Sequence, residues 1–281
     1  MENKTLEYTL FTGERALFSS EELVIKDCTF ADGESPLKES RNIQLEGCIF
    51  KWKYPLWYCE NIAGSAVTLL ETARSGIWYT RNVSFVDSVI EAPKTFRRSS
   101  GISLKNCRLP KAQETLWSCR NITLESVAAT GDYFAMNSEN IKMKDFELVG
   151  NYGFDGAKNI EIRGARLLSK DAFWNAENVT VYDSLIVGEY LGWNSRNVTF
   201  INCTIDSNQG MCYMNNLKME NCKFLNTDLA FEYSDVHVSA ISPIDSVKNP
   251  SSGKISAPSI GEIIMEPTRI DPNMTEIITE K

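Results

Sequence analysis

Apolar and polar residues alternate within a short phrase that returns every 19 to 21 residues along most of this chain. Each phrase opens on an asparagine, and the first and third residues after it are apolar, as in Asn178-Val-Thr-Val and Asn197-Val-Thr-Phe. This period of two predicts a β-strand with one face turned inward. The leading asparagines are Asn42, Asn61, Asn82, Asn121, Asn140, Asn159, Asn178, Asn197 and Asn216, and Gly101 and Asp235 take the same position.

Two further apolar positions complete each repeat, one eight residues after the asparagine and one five residues before the next. A glycine, aspartate or asparagine five residues after the leading asparagine predicts a bend between the first two inward segments. Three inward segments without a helix predict a parallel β-helix, a solenoid of stacked coils. The chain is therefore expected to be all-β, a single-stranded right-handed parallel β-helix of about twelve coils, because parallel crossovers prefer the right hand.

The two ends of the chain depart from the repeat. Residues 1–21 are predicted to form an N-terminal cap, residues 22–241 the β-helix repeats, and residues 242–281 a C-terminal cap with a last irregular coil. Caps are expected because a bare end coil presents an open strand edge for pairing and aggregation.

Equal positions of a solenoid form columns, and two columns have structural interpretations. Asparagine tolerates the left-handed backbone of a sharp turn, and stacked side-chain amides form hydrogen-bonded ladders. The cysteines six residues after the leading position are expected to be free, buried thiols, since their spacing does not resemble that of zinc ligands. These cysteines are Cys28, Cys48, Cys107, Cys203 and Cys222.

Net charge and cysteine usage limit the partners and the compartment. A net charge of −8 with a pI near 5.0 argues against binding to nucleic acid or to anionic membranes. No apolar stretch is long enough for a membrane-spanning helix, and the first residues lack the features of a secretory signal. Eight cysteines without such a signal predict a cytoplasmic protein with reduced thiols.

Several longer phrases resemble a bacterial family that is a domain of unknown function. They are Gly-Glu-Arg-Ala-Leu-Phe at 13–18, Glu-Ser-Pro-Leu-Lys-Glu-Ser at 34–40, Lys-Trp-Lys-Tyr-Pro-Leu-Trp-Tyr at 51–58, Gly-Ile-Trp-Tyr at 76–79, Gly-Asp-Tyr-Phe-Ala-Met-Asn at 131–137 and Lys-Asp-Ala-Phe-Trp-Asn at 170–175. The resemblance covers nearly the whole chain. It implies a pectate-lyase-like right-handed β-helix and supplies no catalytic residues.

Five of the six tryptophans share one register, four residues before the next asparagine. They are Trp57, Trp78, Trp117, Trp174 and Trp193, and Arg97 lies between Trp78 and Trp117 in the same column. Exposed rings would form a strip suited to sugar rings, with cation–π contacts to Arg97. Rings that cover a corner of the core would be structural. Both interpretations stay open from the sequence.

Two polar columns run beside the tryptophans, eight and seven residues before the asparagine. Asp132, Asn151, Lys170 and Glu189 belong to the first, and Tyr133, Asp171 and Tyr190 to the second. Acids and a base in one line can perform general acid–base chemistry, which makes Asp132, Lys170, Asp171 and Glu189 the candidate catalytic residues. The candidate ligand-binding residues are Trp57, Trp78, Arg97, Trp117, Tyr133, Asn151, Trp174, Tyr190 and Trp193. The alternative is a solvated turn with weak ion pairs.

No sequence motif of a known enzyme class is present, and neither a metal nor a cofactor is predicted. The only histidine, His237, lies at an outward strand position and is expected to be a surface residue. Two function classes remain: a surface that binds or processes an oligosaccharide, and a non-catalytic acidic rod that binds a protein or assembles into a homo-oligomer. A third, an acidic mimic of nucleic acid, is disfavoured by the lysines and arginines in the columns.

Overall fold

The computed structural model describes residues 4–280, which divide into unit 1 (residues 4–142) and unit 2 (residues 143–280). In unit 1 the strands are β1 (Lys4–Glu7), β2 (Leu10–Phe11), β3 (Glu21–Lys26), β4 (Thr29–Phe30), β5 (Arg41–Glu46), β6 (Ile49–Phe50), β7 (Glu60–Ser65), β8 (Thr68–Leu69), β9 (Arg81–Val86), β10 (Val89–Ile90), β11 (Ser100–Lys105), β12 (Arg108–Leu109) and β13 (Arg120–Thr130). A 3₁₀ helix spans Glu71–Ala73.

Strand β14 (Glu139–Val149) begins in unit 1 and ends in unit 2. The remaining strands are β15 (Lys158–Arg163), β16 (Arg166–Leu168), β17 (Glu177–Tyr182), β18 (Leu185–Val187), β19 (Arg196–Ile201), β20 (Thr204–Asp206), β21 (Asn215–Leu225), β22 (Asp235–Ala240), β23 (Ile244–Lys248), β24 (Ser252–Ala257), β25 (Ile260–Ile264) and β26 (Thr275–Thr279). A second 3₁₀ helix spans Pro272–Met274, and no helix in the described part of the chain is long and apolar enough to cross a membrane.

Both units are stacks of coils, so the predicted all-β parallel solenoid is confirmed. Most coils contain a long strand that starts one residue before the asparagine, then a bend, a short strand and a turn-rich return segment. Long strands pair in parallel with long strands of the neighbouring coil, as Val179 does with Val198, and short strands pair with short strands, as Ile186 does with Ile205. The bend residues have left-handed backbones, with a φ of 50° at Asp183 and 65° at Gly164.

Residues 4–280 form about 15 coils, more than the predicted number of about twelve. Residues 4–11 already pair in parallel with β3 and β4, and β24 and β26 add coils near the other end. Strands β23 and β25 pair with each other in a separate two-stranded sheet. The irregular sequence of these segments conceals the period, although their strands keep the parallel register. The predicted borders of the caps, at residues 21 and 241, stay a prediction.

The core of each unit lies inside its coils and consists of columns of like side chains. In unit 1, Phe30 stacks on Phe11 and Phe50 with ring centroids 4.9 and 4.6 Å apart. In unit 2, Phe173 stacks on Phe154 with centroids 4.9 Å apart. Because every coil contributes the same positions, the apolar columns are continuous within each unit. The alternate residues of the long strands point outward.

One coil of unit 2 departs from the register assumed from the sequence. Phe231 falls four residues before Asp235, the position of the tryptophans, yet it is buried in the core and its amide donates to Gly210. Asp235 is not among the residues with a left-handed backbone, and the Tyr233 ring contacts the Tyr213 ring at a tilt, with centroids 5.4 Å apart. The turn at Asp235 is therefore one residue shorter than the asparagine turns, which moves Phe231 into the core column.

Candidate functional site

The leading asparagines form hydrogen-bonded ladders in each unit, as predicted. In unit 2 the Nδ2 atoms of Asn178, Asn197 and Asn216 donate to the Oδ1 atoms of the preceding asparagines, at 2.9, 3.0 and 2.9 Å. The corresponding pairs of unit 1 are Asn61 with Asn42, Asn82 with Asn61, and Asn140 with Asn121. All of these residues have left-handed backbones, so the column is structural.

The five tryptophans that share a register also share one hydrogen bond. Each indole Nε1 donates to a backbone carbonyl oxygen of the following coil, at the position seven residues before its asparagine. The acceptors are Ser75 for Trp57, Lys94 for Trp78, Tyr133 for Trp117, Tyr190 for Trp174 and Gln209 for Trp193, at 2.6 to 3.1 Å. The indole donors therefore hold neighbouring coils together and are occupied.

In unit 1 the column forms a continuous stack of π and cationic groups. The rings of Trp57 and Trp78 are 5.0 Å apart and nearly parallel, and the Arg97 guanidinium lies 4.9 Å from the Trp78 ring and 4.4 Å from the Trp117 ring. Arg97 also donates to Glu114 at 2.9 Å, and its buried Nε has no hydrogen-bond partner among residues 4–280. The predicted cation–π contacts of Arg97 are thus confirmed.

The tryptophan column is intermediate between the exposed strip and the buried corner of the core that the sequence left open. All five tryptophans are half-buried, so they are neither wholly in the core nor wholly in solvent. Trp57 and Trp78 stack face to face, and so do Trp174 and Trp193, at 5.7 Å. A ligand therefore meets chiefly the ring edges, because neighbouring coils cover the faces.

Unit 2 brings six aromatic residues into one contiguous group, here called the aromatic row. Its members are Tyr152, Trp174, Tyr190, Trp193, Tyr213 and Tyr233, and successive ring contacts join them at centroid distances of 5.2 to 5.8 Å. Tyr213 is the most accessible member of the row, with 46% of its surface exposed. The row is amphipathic, since its tyrosines add hydroxyl groups to an apolar surface.

Asp171 lies in the same register as Tyr152 and Tyr190, on neighbouring coils. Only 2% of its surface is exposed, and its Oδ1 has no hydrogen-bond partner in the described part of the chain. Burial raises the pKa of the Asp171 carboxyl above its usual value, while the Lys170 charge and a hydrogen bond with the Tyr152 side chain act against the rise and the Glu189 charge adds to it. A buried carboxyl with an unpaired oxygen is the feature of a functional candidate.

Lys170 and Glu189, two other predicted catalytic residues, form an exposed ion pair at 3.0 Å. The Lys170 ammonium also lies 5.1 Å from the Tyr190 ring, and its pKa is raised, chiefly by the hydrogen bond with Glu189. Asn151, the preceding residue of that column, is exposed. Unit 2 therefore collects Lys170, Asp171 and Glu189 beside the aromatic row.

Asp132 and Tyr133 belong to unit 1. The carbonyl of Asp132 accepts from the Glu114 amide at 2.9 Å, and the Tyr133 ring makes an edge contact with Trp117 at 6.4 Å. Their predicted roles, like those of the other candidate residues, stay predictions.

Tyr152 and Tyr213 belong to the candidate site but were not selected from the sequence. Tyr152 lies seven residues before Asn159, and Asp171 lies seven residues before Asn178. This shared register is the sequence signal by which Tyr152 could have been selected. Tyr213 lies three residues before Asn216, a position that carries asparagine in the two preceding coils. Only the ring contacts show that Tyr213 continues the row.

A shallow hollow in unit 1 was also missed. It encloses about 410 Å³ over the outer face of the long strands, between the asparagine ladder and the small side chains of Ala63, Ser84 and Ser103. The signal was the run of small residues at outward positions of three successive coils, where other coils carry Gln44 or Lys142. The hollow has amide and hydroxyl groups at its walls and no charged cluster.

All eight cysteines are free and buried. Burial raises the pKa of the Cys59, Cys119 and Cys212 thiols to about 12, so these groups are neutral and weakly nucleophilic at physiological pH. Within residues 4–280, no group of three or more His, Cys, Asp or Glu side chains is arranged to hold a metal ion. The cysteines are therefore packing residues.

The solved structures that match this chain are distant from it in sequence. The A-module of mannuronan C-5 epimerase AlgE4 from Azotobacter vinelandii is 9% identical, with 98% of this chain and 89% of that chain covered and a TM-score of 0.32. The catalytic domain of a GH87 alpha-1,3-glucanase is 10% identical, with 100% and 62% covered and a TM-score of 0.23. QnrB1, a plasmid-mediated fluoroquinolone resistance protein, is 12% identical, with 79% and 91% covered and a TM-score of 0.23. These likenesses are too remote to indicate a function.

The comparison with curated proteins found no match. A family model does match, over residues 4–278, and its description is "Protein of unknown function (DUF3737)". The matched range contains the aromatic row, Asp171 and all the strands described above except the last residue of β26. The chain belongs to this family, DUF3737.

Proposed function

We propose that the protein binds a carbohydrate along the aromatic row of unit 2. The observation that carries the proposal is the run of ring contacts from Tyr152 to Tyr233, with the exposed Tyr213 within it. Asp171 is too buried to touch the ligand, and we assign it the role of positioning Tyr152, with which its carboxyl forms a hydrogen bond.

The aromatic row and the charged residues beside it suit both the apolar C–H groups and the hydroxyl groups of a sugar. The ring edges of Trp174 and Trp193 and the accessible Tyr213 provide an apolar surface for the C–H groups. The exposed Lys170 and Glu189 provide a donor and an acceptor for further hydroxyls. Binding sites of this kind combine a mainly aromatic lining with few polar groups that fix orientation.

The proposal concerns binding and does not include a reaction. General acid–base catalysis needs an acid and a base that both reach the reacting bond. Lys170 and Glu189 hold each other in an ion pair, and Asp171 is buried. The cytoplasm remains the proposed compartment, and eight buried free thiols fit its reducing conditions.

A second function, association with a protein or another copy of the chain, is favoured by a different observation. Ile263, Met274 and Ile278 near the C-terminal end of unit 2 are large apolar residues with 47%, 56% and 41% of their surfaces exposed. Exposed apolar groups mark an interaction surface when they form a contiguous patch, so this function requires the three side chains to lie together. Light scattering separates the two functions, because carbohydrate binding does not require an oligomer.

Carbohydrate binding is tested by tryptophan fluorescence of the full chain with a panel of neutral and acidic oligosaccharides. A bound sugar is expected to change the emission in a saturable way, because Trp174 and Trp193 border the site. Tyr213→Ala is expected to weaken the affinity about tenfold, the effect of about 1.4 kcal/mol of lost contact. Tyr58→Ala is the matched control, since Tyr58 has the same register in unit 1 and 50% exposure. Unchanged emission across the panel, or equal losses in both variants, would contradict the proposal.

Asp171→Asn is expected to stabilise the protein at pH 7 while it weakens sugar binding. Because the pKa of Asp171 is raised, the carboxyl favours the folded state below the usual aspartate pKa and loses this contribution as the pH rises through its folded pKa. A neutral amide avoids that loss, so the unfolding free energy should increase by about 1 kcal/mol at pH 7. The gain should shrink near pH 4, where the wild-type carboxyl also begins to take up its proton.

Thermal unfolding of Asp171→Asn and wild type at both pH values measures this difference. Asp245→Asn, at an exposed position of the same unit, serves as the control and should change neither stability nor affinity. If Asp171→Asn lowers the melting temperature at pH 7, the carboxylate is a structural group and its proposed role in binding is wrong.

A further inference from the structure

A second hollow lies over the outer face of the long strands in unit 2. It encloses about 650 Å³ above β21, β22 and β24, and the side chains of Ser239 and Ser256 leave it open. Lys218, His237 and Lys254 line it from three successive strands. Their Cα atoms are direct partners in the parallel register, Lys218 opposite His237 and His237 opposite Lys254.

The charges in this column break a pattern that the chain follows elsewhere. Basic residues on one coil commonly face a carboxylate on a neighbouring coil. Lys158 and Arg196 both pair with Glu177, at 3.2 and 2.7 Å. Equivalent pairs are Lys26 with Glu46, Arg81 with Glu60, Lys105 with Glu125, Arg120 with Glu139 and Arg166 with Glu147.

Lys218 has no such partner. Its neighbours in the column are Thr199 and His237, and no carboxylate in the described part of the chain lies within 4.0 Å of its ammonium. Lys254 pairs with Glu276 at 3.1 Å, but both side chains are about half exposed, and such pairs contribute little. The Lys254 ammonium can therefore leave Glu276 and turn toward a ligand with little loss of free energy.

Basic groups directly opposite one another on neighbouring strands repel each other. An anion bound between them attracts each of them and so offsets this repulsion. Strands lie about 4.8 Å apart, so Lys218, His237 and Lys254 span about 10 Å. A phosphate or carboxylate group placed over this span is within reach of two or three of the side chains. Two further residues of β21 border the hollow: Glu220 brings a carboxylate and Asn216 brings an amide.

We propose that the Lys218–His237–Lys254 hollow is a binding site for a small anionic molecule that presents a phosphate or carboxylate group. Lys218 and Lys254 supply ammonium donors, His237 supplies an imidazole N–H, and the serines supply hydroxyls. The proposal does not depend on carbohydrate binding at the aromatic row, because the two sites share no residue. It assigns a role to the one histidine, which the sequence alone presents as a surface residue.

The single histidine makes the test direct. In a tag-free full chain with isotope-labelled histidine, His237 gives the only imidazole signals in an NMR spectrum. Titration with inorganic phosphate at constant pH and ionic strength is expected to move these signals to saturation. Galacturonate tests the carboxylate source, and galactose, which has no charge, should leave the signals in place.

Variants of the lysines show whether the hollow itself binds the anion. Lys218→Gln and Lys254→Gln are each expected to weaken binding about tenfold, the usual effect of one lost charged hydrogen bond. Lys223→Gln is the matched control, since Lys223 is an exposed lysine of the same strand that does not line the hollow. Equal losses in all three variants, or shifts that never saturate with either anion, would overturn the proposal.

Discussion

Phe173→Ala is expected to lower the free energy of unfolding by about 3–5 kcal/mol, the cost of truncating a buried phenylalanine. The Phe173 side chain is fully buried. Its ring stacks on Phe154 at 4.9 Å and makes an edge contact with Phe200 at 6.5 Å. Both neighbours belong to stacked coils, which cannot move together to fill the cavity without breaking their strand pairing. Urea denaturation should show a lower midpoint.

Phe173→Leu provides the comparison for this prediction. Leucine keeps most of the apolar volume, so its loss should be clearly smaller than that of alanine. If Phe173→Ala lowers the free energy of unfolding by less than about 1 kcal/mol, the coils relax around the cavity. The core is then less rigid than its ring stacking indicates.

Asn178→Ala is expected to destabilise the protein by about 2–3 kcal/mol, although its side chain is exposed. The amide of Asn178 donates to Asn159 and accepts from Asn197, at 2.9 and 3.0 Å, and each bond contributes about 1 kcal/mol. The backbone φ of 57° adds a penalty for alanine of about 1 kcal/mol. Denaturant unfolding measures the sum.

Asn178→Gly separates the two contributions. Glycine removes both ladder hydrogen bonds but accepts the left-handed backbone, so it should cost about 1 kcal/mol less than alanine. Gly101, with a φ of 68° in the same column of unit 1, shows that the turn itself tolerates glycine. Equal stability of the two variants would mean that the amide ladder, and not the turn, explains the asparagine repeat.

The asparagine repeat and the inward columns were predictable because a solenoid repeats its contacts at a constant spacing. Once the period is recognised, residues one coil apart are spatial neighbours, as Asn178 and Asn197 are. The same reasoning predicted the contacts of Arg97 with Trp78 and Trp117, since all three share a register. It failed near the ends of the chain, where the sequence is irregular, and at Asp235, where the turn is one residue shorter.

The candidate site was predictable only in part. Lys170, Asp171 and Glu189 were identified by their register, and unit 2 brings them together beside Trp174 and Trp193. Their different environments were not predictable, because two adjacent residues of a turn can point in opposite directions. Lys170 is exposed and paired with Glu189, whereas Asp171 is buried beside Tyr152 with an unpaired oxygen.

By itself, the sequence determined the coil: its period, its inward columns, its asparagine turn and the neighbours of each register. These properties are local or repeat at a constant spacing, so a one-dimensional pattern contains them. The tertiary structure alone decided how far each side chain is exposed, including the half-buried tryptophans, the buried Asp171 and the open hollow beside His237. Exposure depends on side-chain direction and on the size of all surrounding groups, and a column of residue types does not specify either quantity.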